Sequence, residues 1–539
     1  MSSLPVPGTV KLVDLQGTSN LHHGKNQKDI ILVPQPTEDP NDPLSWSSRR
    51  RLISTLIQMA WTLLGSAHIN GLTPAYLLIH EETGITIFQL NTGNGLMYLL
   101  FGFANLITQP YALNYGRRPA AVFSMLITSF LVLWSSFMNS AAEWYANRIL
   151  IGISFSAIEC LIELCITDTK FIHERGLHMG LYNWGLWGGA FIAPIPAGFL
   201  AEAAGWRWIN RMYAVVGFLL TIACFFLFEE TMFYRPHVDG IVDAEDDTKK
   251  ADVRALAEKN TDDEKASQSS GLSVEQVGET YQVKSSVQKL KLWGHRDPRQ
   301  PNTFMKFFFL PFELLRYPSI VFSGILVGGI LSWFNVLLGT ISSVFDGDPY
   351  NFSANMVGLT YIACLIGCTI GCLISGWLND SIATFVARKN NGIKEPEARL
   401  WVAIVPFILH PAGCVLYGVG AAKGIHWVGV CFGLGVLTCA IVMGSVLALN
   451  YCVDCYKEIA GEALITVIII RNCMGFAFSY AVSPMIDNLG LQGAFLLMAF
   501  LGMGIHGLSF VMIAYGKKGR EITAPHYWKL VEEHGFRAH

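Results

Sequence analysis

Arg148, Glu159 and Glu163 stand within one stretch, Asn147 to Tyr182, that reads NRILIGISFSAIECLIELCITDTKFIHERGLHMGLY. From about Trp144 to Thr167 the run is long and apolar enough to cross a bilayer as a helix of about 20 residues. It nevertheless carries three ionisable groups and ends on Asp168. At about 100° per residue, Gly152, Glu159 and Glu163 fall within roughly 60° of Arg148, whereas Asp168 falls about 200° away. An ionisable group in hydrocarbon costs about 2.5–3.5 kcal/mol on insertion scales, so such groups face a partner or a cavity. The chemistry this face can do is to bind and release a proton or a cation. It reads as the wall of a pathway through the membrane.

Other polar residues in apolar runs extend that wall. Arg471 falls at a depth matching Glu159 and offers it a partner. Asn70, Asn105, Asn183 with Trp184, and Asn335 could donate or accept hydrogen bonds in a cavity, or simply join helices at about 0.6 kcal/mol each. Tyr182, Trp184 and Trp187 add aromatic faces, which beside carboxylates favour a bulky cation. No phosphate loop, zinc spacing or nucleophile constellation is present, so no cofactor or metal is expected, and neither an ATP-driven pump nor a membrane enzyme fits. The Cys452-x-x-Cys455 pair has no second pair beside it, and the remaining cysteines read as reduced packing residues.

The elements that must position these groups follow from composition. Of 539 residues, 52% are hydrophobic and only 15% charged, against about a quarter charged in soluble proteins. The apolar residues come in blocks of about 20 divided by short polar loops, the pattern of an all-α membrane protein. Twelve transmembrane helices are expected, at 52–74, 92–112, 120–138, 144–167, 180–201, 208–228, 319–341, 355–378, 401–419, 427–450, 463–485 and 492–514. Of 38 Lys and Arg, only Arg207 and Lys423, in predicted outside loops, and Arg211, in the outer first turn of the sixth span, lie on the outside, with Arg148 and Arg471 inside spans. The rest, led by Arg49, Arg50 and Arg51 beside Trp46, place both termini in the cytosol. The sequon at Asn351 then lies in an outside loop, where glycosylation occurs.

The chain divides into a disordered cytosolic N-terminus (1–48), a six-helix half (49–229), a cytosolic linker with an interfacial segment (230–318), a second six-helix half (319–515) and a cytosolic tail (516–539). The linker is rich in Lys, Asp, Glu and Ser through its middle and is expected to be disordered in part. The halves form a weak repeat. The fourth span ends in Asp168-Thr-Lys-Phe and the tenth in Asp454-Cys-Tyr-Lys. Six-span pseudo-repeats are what an alternating-access transporter is built from. Arg117 and Arg118 follow the second span at the same face as Asp168 and Glu174, so Asp168 is expected to pair with one of the arginines as a partly exposed conformational latch.

Six motifs carry a resemblance over about residues 38–520: DPNDPLSW (Asp39–Trp46), YGRRP (Tyr115–Pro119), NRILIG (Asn147–Gly152), FIHERG (Phe171–Gly176), GWRW (Gly205–Trp208) and EPEARL (Glu395–Leu400). Together they resemble the major facilitator superfamily, and within it the fungal drug:proton antiporter relatives nearest the yeast histidinol and polyamine permease group. Arg148 is similar to that family's fourth-span arginine. Two motifs depart from the family pattern. Leu113 stands where the loop motif has an aspartate that caps a helix of the other half, although Asp380 keeps such a cap possible in the second half. The fifth-span antiporter motif is changed to Gly189-x-x-x-Ala193-Pro194-x-x-Ala197-Gly198, keeping small residues and hence close helix packing. The resemblance implies a monomeric secondary-active transporter in the plasma membrane that moves a small organic solute, cationic or amphipathic, by proton-coupled efflux. Uptake of an organic cation and a non-transporting nutrient sensor are the alternatives. Lipid, solute and proton are the expected partners, and nucleic acid is not.

Overall fold

Capping chemistry starts the helices where the hydropathy changes. The Oγ of Ser47 accepts from the Arg50 amide at 3.4 Å and opens the first span, Ser48–Asn70. Thr86 and Gln89 form a reciprocal capping box at the head of the second, Ile87–Tyr115. Gly116, at φ 118°, turns the chain into the third, Arg117–Ser135. These elements belong to a computed structural model that describes residues 5–11, 23–24, 27–31, 39–170, 172–233, 285–293, 303–389 and 393–534.

In each of the next two spans the hydrogen-bond ladder is interrupted at one residue, Ser156 or Ala193, while the backbone keeps helical φ and ψ. The fourth consists of Ala141–Phe155 and Ala157–Thr169, parted at Ser156, whose hydroxyl meets Thr108 Oγ1 at 2.8 Å. The break falls between Gly152 and Glu159, inside the stretch that carries the ionisable face. The fifth consists of Ile172–Ile192 and Pro194–Ala204, where Pro194 has no N–H to continue the ladder. Trp206–Leu227 is the sixth. Pro318–Asp346, Ala354–Lys389 and Trp427–Cys455 form the seventh, eighth and tenth, with the ninth between Pro396 and Ala422.

Among the described residues eleven helical runs are long and apolar enough to cross a membrane, and the last, Lys457–Glu532, has 76 residues. A straight helix of that length would reach about 114 Å, far beyond a hydrocarbon core of about 30 Å. The run turns instead at Gly490, with φ 67° and ψ 168°, and so supplies the eleventh and twelfth spans. Its helix continues to His534, through the stretch expected from sequence to be a separate tail.

The second span packs on the eleventh and the fifth on the eighth, joining the first six spans to the last six by two related contacts. At the fifth–eighth contact a Cβ on Gly198 would lie 2.4 Å from Ala354 O, and one on Gly358 would lie 2.8 Å from Pro194 O. The small residues retained in the fifth-span motif are what let these backbones touch.

The first described stretch, Pro5–Lys11, and the end of the last helix meet at one face of the bundle, here called the terminal face. A short helix, Phe304–Glu313, crosses it. Asn114 Oδ1 accepts from Thr303 N and Oγ1 at 3.3 Å each, and Thr466 Oγ1 donates to Pro311 O at 2.9 Å. The helix thus bridges the second and eleventh spans. Trp46, expected at the headgroup level, is buried with Arg50 stacked over it, and Arg50 Nε donates to Glu229 Oε1 at 2.7 Å. Pro5–Lys11, within the stretch expected to be disordered, is seated against the last six spans. Most of the linker lies outside the described residues.

Candidate functional site

Glu159 lies ten residues before Thr169, and Arg471 eleven after Ala460, so each sits roughly 15 Å from the terminal-face end of its span. They meet. Arg471 Nη2 donates to Glu159 Oε1 at 2.5 Å and to Oε2 at 2.7 Å, with Glu159 3% exposed. Arg471 also donates to Asn472 Oδ1 at 3.3 Å. The pair joins the fourth span to the eleventh across the seam between the two six-span sets. Glu163, a turn nearer the terminal face, is half-buried, has no ion-pair partner among the described residues, and lies near Cys452 of the tenth span.

A polar cavity occupies the opposite end of the seam. Asn70, Asn91, Asn94, Tyr76 and Tyr98 line one wall, and Asn335 with Ser479 the other. Asn70 Oδ1 accepts from Tyr98 OH at 3.4 Å, and Asn335 Nδ2 donates to Gly475 O at 3.2 Å and Ser479 Oγ at 3.0 Å. Asn91 is 7% exposed and its Nδ2 has no acceptor among the described residues. The lining contains no carboxylate and offers amide and hydroxyl groups, with Leu338 and Val482 as its apolar part. Asn91, Asn94 and Tyr98 form a stripe at i, i+3 and i+7 along the second span, a signal that the sequence reading passed over.

The remaining candidates separate. Arg148 is 1% exposed and lies over the Trp144 ring at 3.9 Å; its Nη1 is 4.0 Å from Met97 Sδ. Trp184 Nε1 donates to Thr369 Oγ1 at 3.2 Å, binding the fifth span to the eighth, and Asn183 beside it is half-buried. Asn105 spends its amide on Phe101 O at 3.0 Å, inside its own helix. Asn351 is exposed at φ 48° and donates to Asp348 Oδ1 at 3.0 Å.

At the terminal face Arg117 and Arg118 part company. Arg117 Nε lies 3.1 Å from Asp168 Oδ2, with both side chains 6% exposed, and Thr231 Oγ1 donates to the same carboxylate oxygen at 3.2 Å. The expected partly exposed latch is therefore buried. Arg118 turns away and donates to three carbonyls, Phe225 O at 2.5 Å, Lys289 O at 2.5 Å and Lys291 O at 3.1 Å. With Leu113 in place of the motif aspartate, Glu230 caps the head of the third span, accepting from Arg117 N at 2.9 Å and Arg118 N at 3.1 Å. The side chains of Asp380 and Glu174 lie outside the described residues.

The last six spans repeat this face. Arg399 Nε donates to Asp454 Oδ2 at 2.7 Å, the counterpart of Arg117 with Asp168. Arg520, fully buried, makes a two-pronged pair with Glu397 at 2.9 and 2.5 Å. Asp454 and the EPEARL motif, which contains both Glu397 and Arg399, stand out in the sequence; Arg520 does not.

The model of the Major Facilitator Superfamily matches residues 52–464. An uncharacterized MFS-type transporter of Schizosaccharomyces pombe is 28% identical, over 98% of this chain and 94% of its own. Protein HOL1 of Saccharomyces cerevisiae is 27% identical, over 98% and 97%. Efflux pump FUBT of Fusarium oxysporum is 26% identical, over 87% and 72%. Twelve spans in two related sets, a polar seam between them and a family match over most of the length make one conclusion: this chain belongs to the major facilitator superfamily, and it is a multi-pass membrane transporter of small solutes.

Proposed function

We propose that the protein is a proton-coupled exporter of a small amphipathic organic solute, cationic at one end. In this reading the terminal face is cytosolic and the membrane is the plasma membrane. The observation that carries the reading is the Glu159–Arg471 pair across the seam, with Glu163 one turn away and no ion-pair partner among the described residues. A buried ion pair is stable while both charges are present and costly once one is removed. Protonation of Glu159 releases Arg471, and Glu163 is then within a helical turn to receive it. The seam thereby gains two arrangements that differ by one proton.

A solute ammonium competes with the proton for the same negative charge, so both are not held tightly at once. That competition enforces exchange. The polar cavity at the far end offers hydrogen bonds to the solute's uncharged groups, and the family's efflux relatives support the outward direction. The test is accumulation in a strain lacking its own amine permeases, with and without an imposed pH gradient. Gradient-driven extrusion of a labelled organic amine supports the reading. Uptake under the same gradient reverses the direction, and indifference to the gradient removes the proton from the scheme.

A further inference from the structure

Residues 5–11 connect to the first span, yet they make their contacts on the last six spans. Pro5 O accepts from Trp528 Nε1 at 2.8 Å, and Pro7 O accepts from Arg520 Nη1. Gly8 has φ +79°, and a Cβ there would lie 2.5 Å from Asp454 O and 2.9 Å from Cys455 O. Val10–Lys11 then pairs antiparallel with Ile393–Lys394, just before the ninth span. The groove is built from the extended last helix, the end of the tenth span and the loop ahead of the ninth.

Its recognition is of main chain. Two carbonyls of the arm accept from the groove, one glycine is required by both φ and space, and a two-residue ladder completes the contact. Proline at positions 5 and 7 brings no N–H that the groove would have to satisfy. The groove's side is equally specific. Arg520 is fully buried and gives Nε and Nη2 to Glu397, so Pro7 O takes a donor that would otherwise be left without an acceptor. Asp454, whose carbonyl touches the arm, is the residue that pairs with Arg399.

We propose that this groove is a peptide-binding site for the chain's own Pro-x-Pro-Gly arm, and that its occupation ties the stretch ahead of the first span to the end of the tenth span and the last helix, across the two six-span sets. Docked, the arm slows separation of the two six-span sets at the terminal face. Undocked, it remains attached to the first span by a chain of 27 residues between Lys11 and Asp39, long enough to leave and return.

Cys455 reports on the arm because it is fully buried beneath Gly8. The experiment is peptide-resolved maleimide labelling of Cys455 in the detergent-purified full chain, in a chain lacking residues 2–11, and in Gly8→Val. The labelling needs no substrate, so the test of the site is independent of the coupling scheme above. The full chain should be protected, and both variants should label about tenfold faster, the equivalent of one lost buried hydrogen bond. A synthetic peptide of residues 2–12 added to the truncated chain should restore protection, and Trp528→Phe should weaken that rescue. Equal labelling of Cys455 in all three proteins overturns the site. Fast labelling that the peptide does not reverse also overturns it, because the arm would then only support folding. A solute exchange rate unchanged by truncation overturns the gating role.

Discussion

Arg471 and Glu159 are 312 positions apart in sequence and 2.5 Å apart in space, the guanidinium spanning both carboxylate oxygens. Neither charge is affordable alone at that depth. The pair settles both, and it does so between helices that belong to different six-span sets, so whatever separates the sets must first address the pair.

Glu159→Gln removes the charge while keeping shape. The variant should fold and reach the membrane but lose gradient-driven movement of a cationic solute, keeping slow equilibration; Glu159→Asp should be impaired less. Wild-type accumulation with unchanged dependence on external pH in Glu159→Gln would sink the coupling role and leave Glu163 and Asp454 to test.

Arg471→Met leaves Glu159 buried without its partner. Breaking a buried pair from one side costs about 3–5 kcal/mol, whereas replacing both sides is often close to neutral. Thermal unfolding in detergent should show a large drop for Arg471→Met and a partial recovery for the Glu159→Gln/Arg471→Met double variant. A double variant no more stable than the single one would mean that the pair does not carry that energy.

The two terminal-face pairs differ in burial. Arg117 and Asp168 are 6% exposed each, whereas Arg399 and Asp454 are 12% and 14% exposed. Asp168→Asn should therefore destabilise more than Asp454→Asn, by about 2–3 kcal/mol against about 1–2, since charged hydrogen-bond partners gain with desolvation. Urea midpoints of the two variants decide the order. The reverse order would assign the main latch to the last six spans.

Arg118 holds a linker segment by its main chain, donating to Lys289 O and Lys291 O. Arg118→Ala should release Ser285–Trp293 and speed tryptic cleavage after Lys289 and Lys291 several-fold, with little change in global unfolding. Cleavage at the wild-type rate would mean that Leu292, Trp293 and the Lys289–Glu229 ion pair at 3.6 Å keep the segment docked without Arg118.

Asn351 tests orientation. Its side chain is exposed in the loop between the seventh and eighth spans. If the face opposite the termini is extracellular, endoglycosidase should shift the wild-type band on a gel and leave Asn351→Gln unchanged. A glycan-free wild type, together with a linker tag cleaved by protease from outside intact cells, would invert the proposed topology.

What the sequence determined by itself was local. Apolar blocks of about 20 residues define spans because a bilayer has one thickness, and the twelve predicted runs meet the observed helices with differences mainly at their ends. The helical period alone set Asp168 apart from the face of Glu159 and Glu163, and in the structure Asp168 has its own partner, Arg117. The choice of partner was decided only in three dimensions. Arg117 and Arg118 are adjacent and identical in type, yet one takes a carboxylate and the other three carbonyls, because successive helical residues point about 100° apart into different neighbours. Glu397 with Arg520, Glu230 at the head of the third span, and the arm at Gly8 are likewise contacts between distant segments. No period or composition encodes them; packing brings the segments together, and burial then requires every charge and N–H to find a partner.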